Sequence, residues 1–391
     1  MLMDCQACGS TALSDVFCVD RVPVHSCMMV ASRQQALDFP CGDLRVQFCE
    51  DCGFLQNSAF SADLIHYSTD YEETQAFSST FRAFQTQLCQ SQVAKHGLQG
   101  KSALEIGCGK GEFISELCEI SGGPGIGIDP GYRPERNESE AANRIEFIQD
   151  LYSPAYKHLK ADYVACRHTL EHIQPVREFV QMVRDTLDDA ADTVVFFELP
   201  GGERVLREMA FWDIYHEHCT YFTLGSLARL FRRCGFEILD LYTGYDDQYL
   251  MIEARPGDPD RGKRFEAEQD LEQIRADVEV FRGGIEAKLK GLSDQLNEWV
   301  QGGKKVVLWG SGSKAVSYLT TLGVTDQLQY VVDINPHKHG KFLAGSGHEI
   351  VSPEFLVEYQ PDAVIVMNPI YLEEIRSDMR RMGLEPETWA V

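Results

Sequence analysis

Three groups of residues have types and spacing suited to chemistry. The first lies in Ser102-Ala-Leu-Glu-Ile-Gly-Cys-Gly-Lys-Gly-Glu-Phe113, where an apolar run ends in a turn with glycines at 107, 109 and 111. Such a turn lets a ligand approach the backbone, and the helix after it offers free N–H groups and partial positive charge. Glu105 sits inside the apolar run, where an unpaired carboxylate is costly. Asp129 ends the next run, Gly125-Ile-Gly-Ile-Asp129, where a carboxylate can hold ribose hydroxyls. Taken alone, the Gly-x-Gly-x-Gly turn is shared by many nucleotide binders, NAD-type ones included. The second group lies in Phe211-Trp-Asp-Ile-Tyr-His-Glu-His-Cys-Thr-Tyr-Phe222, which crowds His216, Glu217 and His218 among aromatic residues. A histidine near a carboxylate is a base poised near neutral pH, and aromatic walls keep water from it. A metal site built from His-x-His and Cys219 is the weaker reading, because residues two apart diverge and no second cluster supplies ligands. The third group is a pair of knuckles, Cys5-Gln-Ala-Cys8-Gly and Cys49-Glu-Asp-Cys52-Gly. Four thiolates close a tetrahedral structural zinc site with no open position for chemistry. A redox Cys-x-x-Cys is disfavoured, since the two copies match and neither opens a βαβ unit.

Positioning these groups requires a scaffold. From 101 to about 256 strand and helix patterns alternate, which predicts a parallel, doubly wound sheet. Its strands are expected at 103–107, 125–129, 144–148, 162–167 and 193–199, with a closing pair at 236–243 and 248–254. Asp150 follows the third strand at the edge where ligands of such sheets bind. It reads either as a contact to an adenine amino group or as a helix cap. The fourth strand runs into Arg167-His-Thr-Leu-Glu-His-Ile173 at the same edge, with His172 and, more weakly, His168 as site residues. Ser78-Ser-Thr-Phe-Arg-Ala-Phe84 predicts a helix leading into this domain, and Tyr71 ahead of it reads from spacing as an aromatic wedge. Residues 259–300 predict a long amphipathic helix with Gly283-Gly284 as its weak point. A second α/β unit follows, with strands at Lys305–Gly310 and Tyr330–Ile334. There Gly310, Gly312 and Asp333 imitate a dinucleotide fingerprint that lacks its third glycine.

Glu/Asp-x-Gly-x-Gly-x-Gly with an acid at the second strand resembles the S-adenosylmethionine site of class I methyltransferases. With the four-cysteine module and Tyr-x-Glu-His after the fifth strand, the whole chain resembles the zinc-containing sugar carbon-methyltransferases of deoxysugar pathways. The resemblance implies an α/β protein in four parts. These are an N-terminal zinc-binding module over 1–65, a class I (Rossmann-like) core over 66–256, a linking helix over 257–300 and a C-terminal Rossmann-like domain over 301–391. It implies S-adenosylmethionine held by Glu105, Gly107, Gly109, Gly111, Asp129, Asp150 and His168, and a structural zinc on Cys5, Cys8, Cys49 and Cys52. It further implies Tyr215, Glu217, His218, His172 and Tyr71 as catalytic residues. His218 would remove a proton from carbon beside a ketone, with Glu217 orienting it or sharing the proton. The implied acceptor is a small molecule, a nucleotide-linked keto-deoxysugar or similar metabolite, its anionic end gripped by Lys314 or Lys338. One departure stands out: the family's Gly-Gly pair before the last strand is replaced by Gly244-Tyr-Asp-Asp-Gln-Tyr-Leu250.

Composition narrows the partners. At 391 residues the chain is long enough for two domains plus a small module. With 36 basic and 60 acidic residues, its formal net charge of −24 argues against nucleic acid or an anionic membrane. No apolar run approaches a membrane span, and the start, Met1-Leu-Met-Asp-Cys5, lacks the features of a signal peptide. Thirteen cysteines, an odd number, point to reduced thiols and metal, so a cytoplasmic monomer or homodimer is expected. Three other functions compete: O- or N-methylation of another metabolite, NAD-dependent oxidoreduction by the C-terminal unit, and a zinc-held binding module with no turnover.

Overall fold

The computed structural model describes residues 4–67, 71–187 and 192–391. Among the described residues three sheets form. Strands β1 (Leu13–Pro23), β2 (Cys41–Cys49) and β3 (Leu55–Asn57) make an antiparallel N-terminal sheet. Strands β4 (Ala103–Ile106), β5 (Gly125–Ile128), β6 (Ile145–Ile148), β7 (Tyr163–Arg167) and β8 (Val194–Pro200) run parallel in the central sheet. The short β9 (Thr220–Tyr221) leaves that core and pairs with β3, which ties the Tyr-His-Glu-His segment to the N-terminal sheet. Strands β10 (Phe236–Gly244) and β11 (Tyr249–Pro256) close the central sheet antiparallel, giving the order β10-β11-β8-β7-β4-β5-β6. Five parallel strands closed by an antiparallel pair are the sheet expected, and the strand bounds fall within two residues of the expected ones.

The order follows from burial. On β8 successive side chains face opposite ways. Val195, Phe197 and Leu199 join one apolar cluster, and Phe196 joins another on the opposite face. A strand buried on both sides reads as a continuous apolar run. Burying one such phenylalanine contributes about 1.5–3 kcal/mol. The entering helix, Ser79–His96, starts where the serine pattern places it: Ser78 accepts from Phe81 N–H, and Gly97 ends it in the left-handed conformation.

The long helix differs from expectation. It spans Leu271–Gln301, twelve residues later than the predicted start, after a 3-10 turn at Glu266–Gln269. Arg232 takes the carbonyls of Pro259 and Lys263, so the preceding segment is spent on side-chain contacts. Nor does it break at Gly283-Gly284. Gly284 lies against Met209, where an added Cβ would stand 2.4 Å from the methionine methyl. The glycine serves close packing there.

The C-terminal sheet is parallel, order β14-β13-β12-β15-β16, from β12 (Val306–Trp309), β13 (Tyr330–Val332), β14 (Glu349–Val351), β15 (Ala363–Val366) and β16 (Glu387–Ala390). It is joined to the core by Glu374, which accepts from Ser78 and Ser79, and by the reciprocal amide pair Gln248–Asn368 at 3.1 and 2.8 Å. Among the described residues no helix is long and apolar enough to cross a membrane.

Candidate active site

A cavity of about 610 Å³ opens between the carboxyl edges of the central and C-terminal sheets. The turn after β4 forms its floor. Gly107 has φ +72° and an added Cβ would fall 2.0 Å from Thr169 Oγ1, so only glycine fits without rearrangement. Glu105 accepts from the Ile114 N–H at 3.1 Å, linking the strand to the first turn of the following helix. Burial lifts its carboxyl to about 8 despite the nearby Arg167 charge. Asp129 accepts from Gly109 N–H at 3.0 Å and Gly131 N–H at 2.6 Å. Its carboxylate is thereby fixed at the cavity wall with lone pairs left for hydroxyl donors.

Glu105, Gly107, Gly109, Asp129, Asp150 and His168 all line the cavity, whereas Gly111 does not. Gly111 packs under the rings of Phe147 and Tyr132. Asp150 is exposed and binds locally, accepting from Leu151 N–H at 2.8 Å and Tyr156 hydroxyl at 2.5 Å. His168 is held at φ +47°, a strained conformation for a residue with a Cβ. Its Nε2 lies 2.9 Å from Glu198 Oε1 as an ion-pair contact, off the line of a well-formed hydrogen bond. Burial disfavours its charge, but the Glu171 and Glu198 carboxylates outweigh burial and raise it to about 9. His168 is therefore cationic, with Arg167 beside it on the same glutamate at 2.8 Å.

Of the expected catalytic residues, Tyr71, His172, Tyr215 and His218 line the same cavity. The His218 ring stands 4.0 Å from that of Tyr215 and 4.7 Å, edge-on, from that of His172. Burial, with the His172, His168 and Lys314 charges, pushes His218 well below the ordinary histidine range, so its imidazole is neutral. His172 Nδ1 meets the Tyr67 hydroxyl at 2.8 Å, and Tyr67 and Tyr71 pack edge-on at 5.3 Å. The tyrosine pair is both wall and hydrogen-bond partner, beyond the wedge expected of Tyr71. His216 points away, to the Asp43 carbonyl at 3.1 Å and the Phe60 ring. Glu171, which the sequence did not single out, joins His172 and His218 in a cluster whose potential ligand atoms lie within 4.8 Å of one another.

Glu217 differs from the expectation that it orients His218. It does not line the cavity; its carboxylate turns to His25 Nδ1 at 3.0 Å and Ser26 N–H at 2.9 Å. Neither partner carries a sequence signal that identifies it. His25-Ser26 is a polar pair within an apolar stretch, and its mate is about 190 residues away. Lys314 and Lys338 reach the cavity as expected, but each is already paired, with Asp213 and Asp333 respectively. The Gly244–Leu250 loop does reach the site: Tyr245, Asp246 and Asp247 are all left-handed, and Gln248 and Tyr249 face the cavity.

The four knuckle cysteines converge outside the cavity. Cys5 and Cys52 sulfurs are 3.6 Å apart, as are those of Cys8 and Cys49, and all four lie within 4.8 Å of one another. A tetrahedral zinc with bonds of about 2.3 Å separates its sulfurs by about 3.8 Å. The residues fit that ion.

Removing Asp129 tests the cofactor wall. Asp129→Ala should weaken S-adenosylmethionine about 10- to 100-fold by calorimetry, the range for a lost hydrogen bond to a charged group of about 1.5–3 kcal/mol. Asp129→Asn, which keeps one acceptor, should fall between. Parent-like affinity in the alanine variant would remove Asp129 from the site.

The methyltransferase domain family matches residues 79–241, and the family described as the C-methyltransferase C-terminal domain matches 261–389. The C-methyltransferase NovU of Streptomyces niveus is 29% identical over 302 residues, covering 72% of this chain and 70% of its own. A ubiquinone biosynthesis O-methyltransferase of Escherichia coli O7:K1 is 30% identical over 107 residues, 26% of this chain and 43% of its own. Among solved structures, the riboflavin-derivative dimethyltransferase RosA of Streptomyces davawensis has a TM-score of 0.36 at 17% identity, covering 45% of this chain and 55% of that one. Magnesium protoporphyrin IX methyltransferase from Synechocystis gives 0.37 at 14% identity, over 48% and 90%. Core, C-terminal domain and relative point the same way: this chain is an enzyme, an S-adenosylmethionine-dependent C-methyltransferase.

Proposed function

We propose that this enzyme methylates the carbon next to a ketone in a nucleotide-linked keto-deoxysugar or similar metabolite. The observation that carries the proposal is the neutral His218, set between Tyr215 and His172 in the cavity that the glycine turn also lines. An ordinary C–H carbon is no nucleophile, whereas an enolate is, so a ketone neighbour and a base are both required. S-adenosylmethionine supplies an electrophilic methyl group on a sulfonium. His218 takes the α-proton as neutral imidazole. Tyr215 and His172 stand beside it as donors to the developing enolate oxygen, where fixed dipoles in a dry cleft act most strongly. Tyr71 and Tyr67 wall the cleft against water. Glu105, Gly107, Gly109, Asp129, Asp150 and His168 hold the cofactor, and the four knuckle cysteines hold one structural zinc.

The test uses methyl-¹³C S-adenosylmethionine and a nucleoside-diphosphate 4-keto-2,6-dideoxyhexose. A labelled methyl bonded to carbon in the product spectrum is the expected result. Label in a methoxy or N-methyl group would replace this reading by O- or N-methylation. No transfer to this or any other ketone acceptor would end it.

A further inference from the structure

Glu217 sits one residue before the proposed base, yet it faces away from the cavity and is only 1 % exposed. Both its oxygens are occupied. The His66 N–H donates to His25 Nε2 at 3.0 Å, so the proton of a neutral His25 ring is on Nδ1, which donates to Glu217 Oε2 at 3.0 Å. Ser26 gives the other oxygen its backbone N–H at 2.9 Å and, on a very short contact, its hydroxyl. Ser26 Oγ also lies 2.7 Å from Ser313 Oγ, at the start of the C-terminal helix Ser313–Thr321. One buried serine thus touches the N-terminal module, the histidine loop and the C-terminal domain.

The opposite side of the loop is pinned as well. Cys219 N–H donates to the Glu171 carbonyl at 2.9 Å, and Thr220 Oγ1 to that of Leu170 at 3.1 Å. Between these two sets of ties the His218 ring is left facing the cavity. A carboxylate saturated by three donors is a poor proton acceptor and a good anchor. Burial raises its proton affinity, but the bonds from His25 and Ser26 and the His172 charge leave it below the ordinary glutamate value.

We propose that His25 and Ser26 are positioning residues for the methyl-transfer site, gripping Glu217 so that the next residue, His218, is presented to the acceptor. The N-terminal module is thereby part of the active site. The proposal rests on the reading of His218 as the base, and its first test does not need the acceptor. The full chain is labelled with ring-¹⁵N histidine and its imidazole resonances are followed by NMR. His25 and His218 are assigned by their loss in His25→Gln and His218→Asn. The parent should show a neutral Nδ1–H ring for His25. Ser26→Ala, which deletes one hydroxyl, and Glu217→Gln should each move the His218 resonances, with S-adenosylmethionine affinity kept within about twofold. Ser26→Thr should restore them. On an acceptor that is turned over, Ser26→Ala and Glu217→Gln should lower kcat by up to about 10²-fold, the cost of a misplaced group. The rate loss of the His25→Gln/Glu217→Gln double variant should not exceed that of the worse single variant.

Unmoved His218 resonances in both Ser26→Ala and Glu217→Gln would overturn the proposal. So would a Glu217→Gln loss of about 10⁴-fold alongside parent-like rates in His25→Gln and Ser26→Ala, which would make Glu217 a proton carrier. Parent-like turnover in His218→Asn would instead sink the base assignment, leaving the NMR result to judge the positioning.

Discussion

His218→Asn should keep its affinity for S-adenosylmethionine and lose about 10²–10⁴-fold in turnover, the span usual for a general base. The two readouts separate because the proposed base and the proposed cofactor floor stand on different elements. His218 lies on the loop before β9, whereas Gly107, Gly109 and Asp129 follow β4 and β5. The imidazole is neutral across the physiological range, since burial and the neighbouring cationic groups disfavour its charge. It can therefore accept a proton without first losing one. A low proton affinity makes it a weak base in the empty cavity. The negative charge that develops on the acceptor as the proton leaves would restore the affinity of His218 for that proton. A base so weakened suits the acidic α-proton of the ketone acceptor proposed above. In deuterated water, with a non-reactive cofactor analogue bound, the parent should exchange the acceptor's α-proton and His218→Asn should not. Near-normal turnover in the variant would move the assignment to His172, whose ring is edge-on to His218 in the same wall.

Much of this site was legible because its signals are local. The glycine turn and Asp129 stand out through neighbours within a few residues or through strand ends, where the pattern of apolar runs marks the edge of the sheet, and each knuckle through its own Cys-x-x-Cys-Gly spacing. Tyr215 and His218 were legible as types of side chain in an aromatic setting. What stayed hidden is pairwise and long-range. Glu217 reads as the partner of His218 because it is adjacent in sequence, but it lies in a tight turn that carries its side chain away from the cavity. Its carboxylate crosses to His25 and Ser26 instead. The Glu171–His172–His218 cluster joins the turn Leu170–His172 after β7 to the segment before β9. Lys314 and Lys338 looked like free cations because sequence does not reveal Asp213 and Asp333 beside them. The long helix began late for a related reason. Arg232, on another helix, claims the carbonyls that the amphipathic pattern assigns to it.

Protein purified without added metal should contain about one zinc per chain, and its removal should unfold the N-terminal module while the central sheet still binds S-adenosylmethionine. The turn of each knuckle is fixed by its own backbone. Gly9 N–H donates to the Cys5 carbonyl at 2.7 Å and Gly53 N–H to that of Cys49 at 2.9 Å, and both glycines are left-handed at φ +81° and +72°. The turns aim the sulfurs of Cys5, Cys8, Cys49 and Cys52 at one point. Without a cation, the four sulfurs cannot all ionise at this spacing, because like charges so close oppose one another. In small zinc modules the binding energy is folding energy, with apparent values of about 10–16 kcal/mol near neutral pH. The same sheet carries the histidine loop through the β3–β9 pairs Leu55–Tyr221 and Gln56–Thr220. Chelation should accordingly abolish methyl transfer with little change in cofactor affinity, and Cys49→Ser should reproduce both effects with a lower folding yield. The decisive measurement is metal content set beside thermal unfolding and calorimetric cofactor binding on one sample. A metal-free chain with the melting temperature and turnover of the parent would exclude a structural zinc at these cysteines.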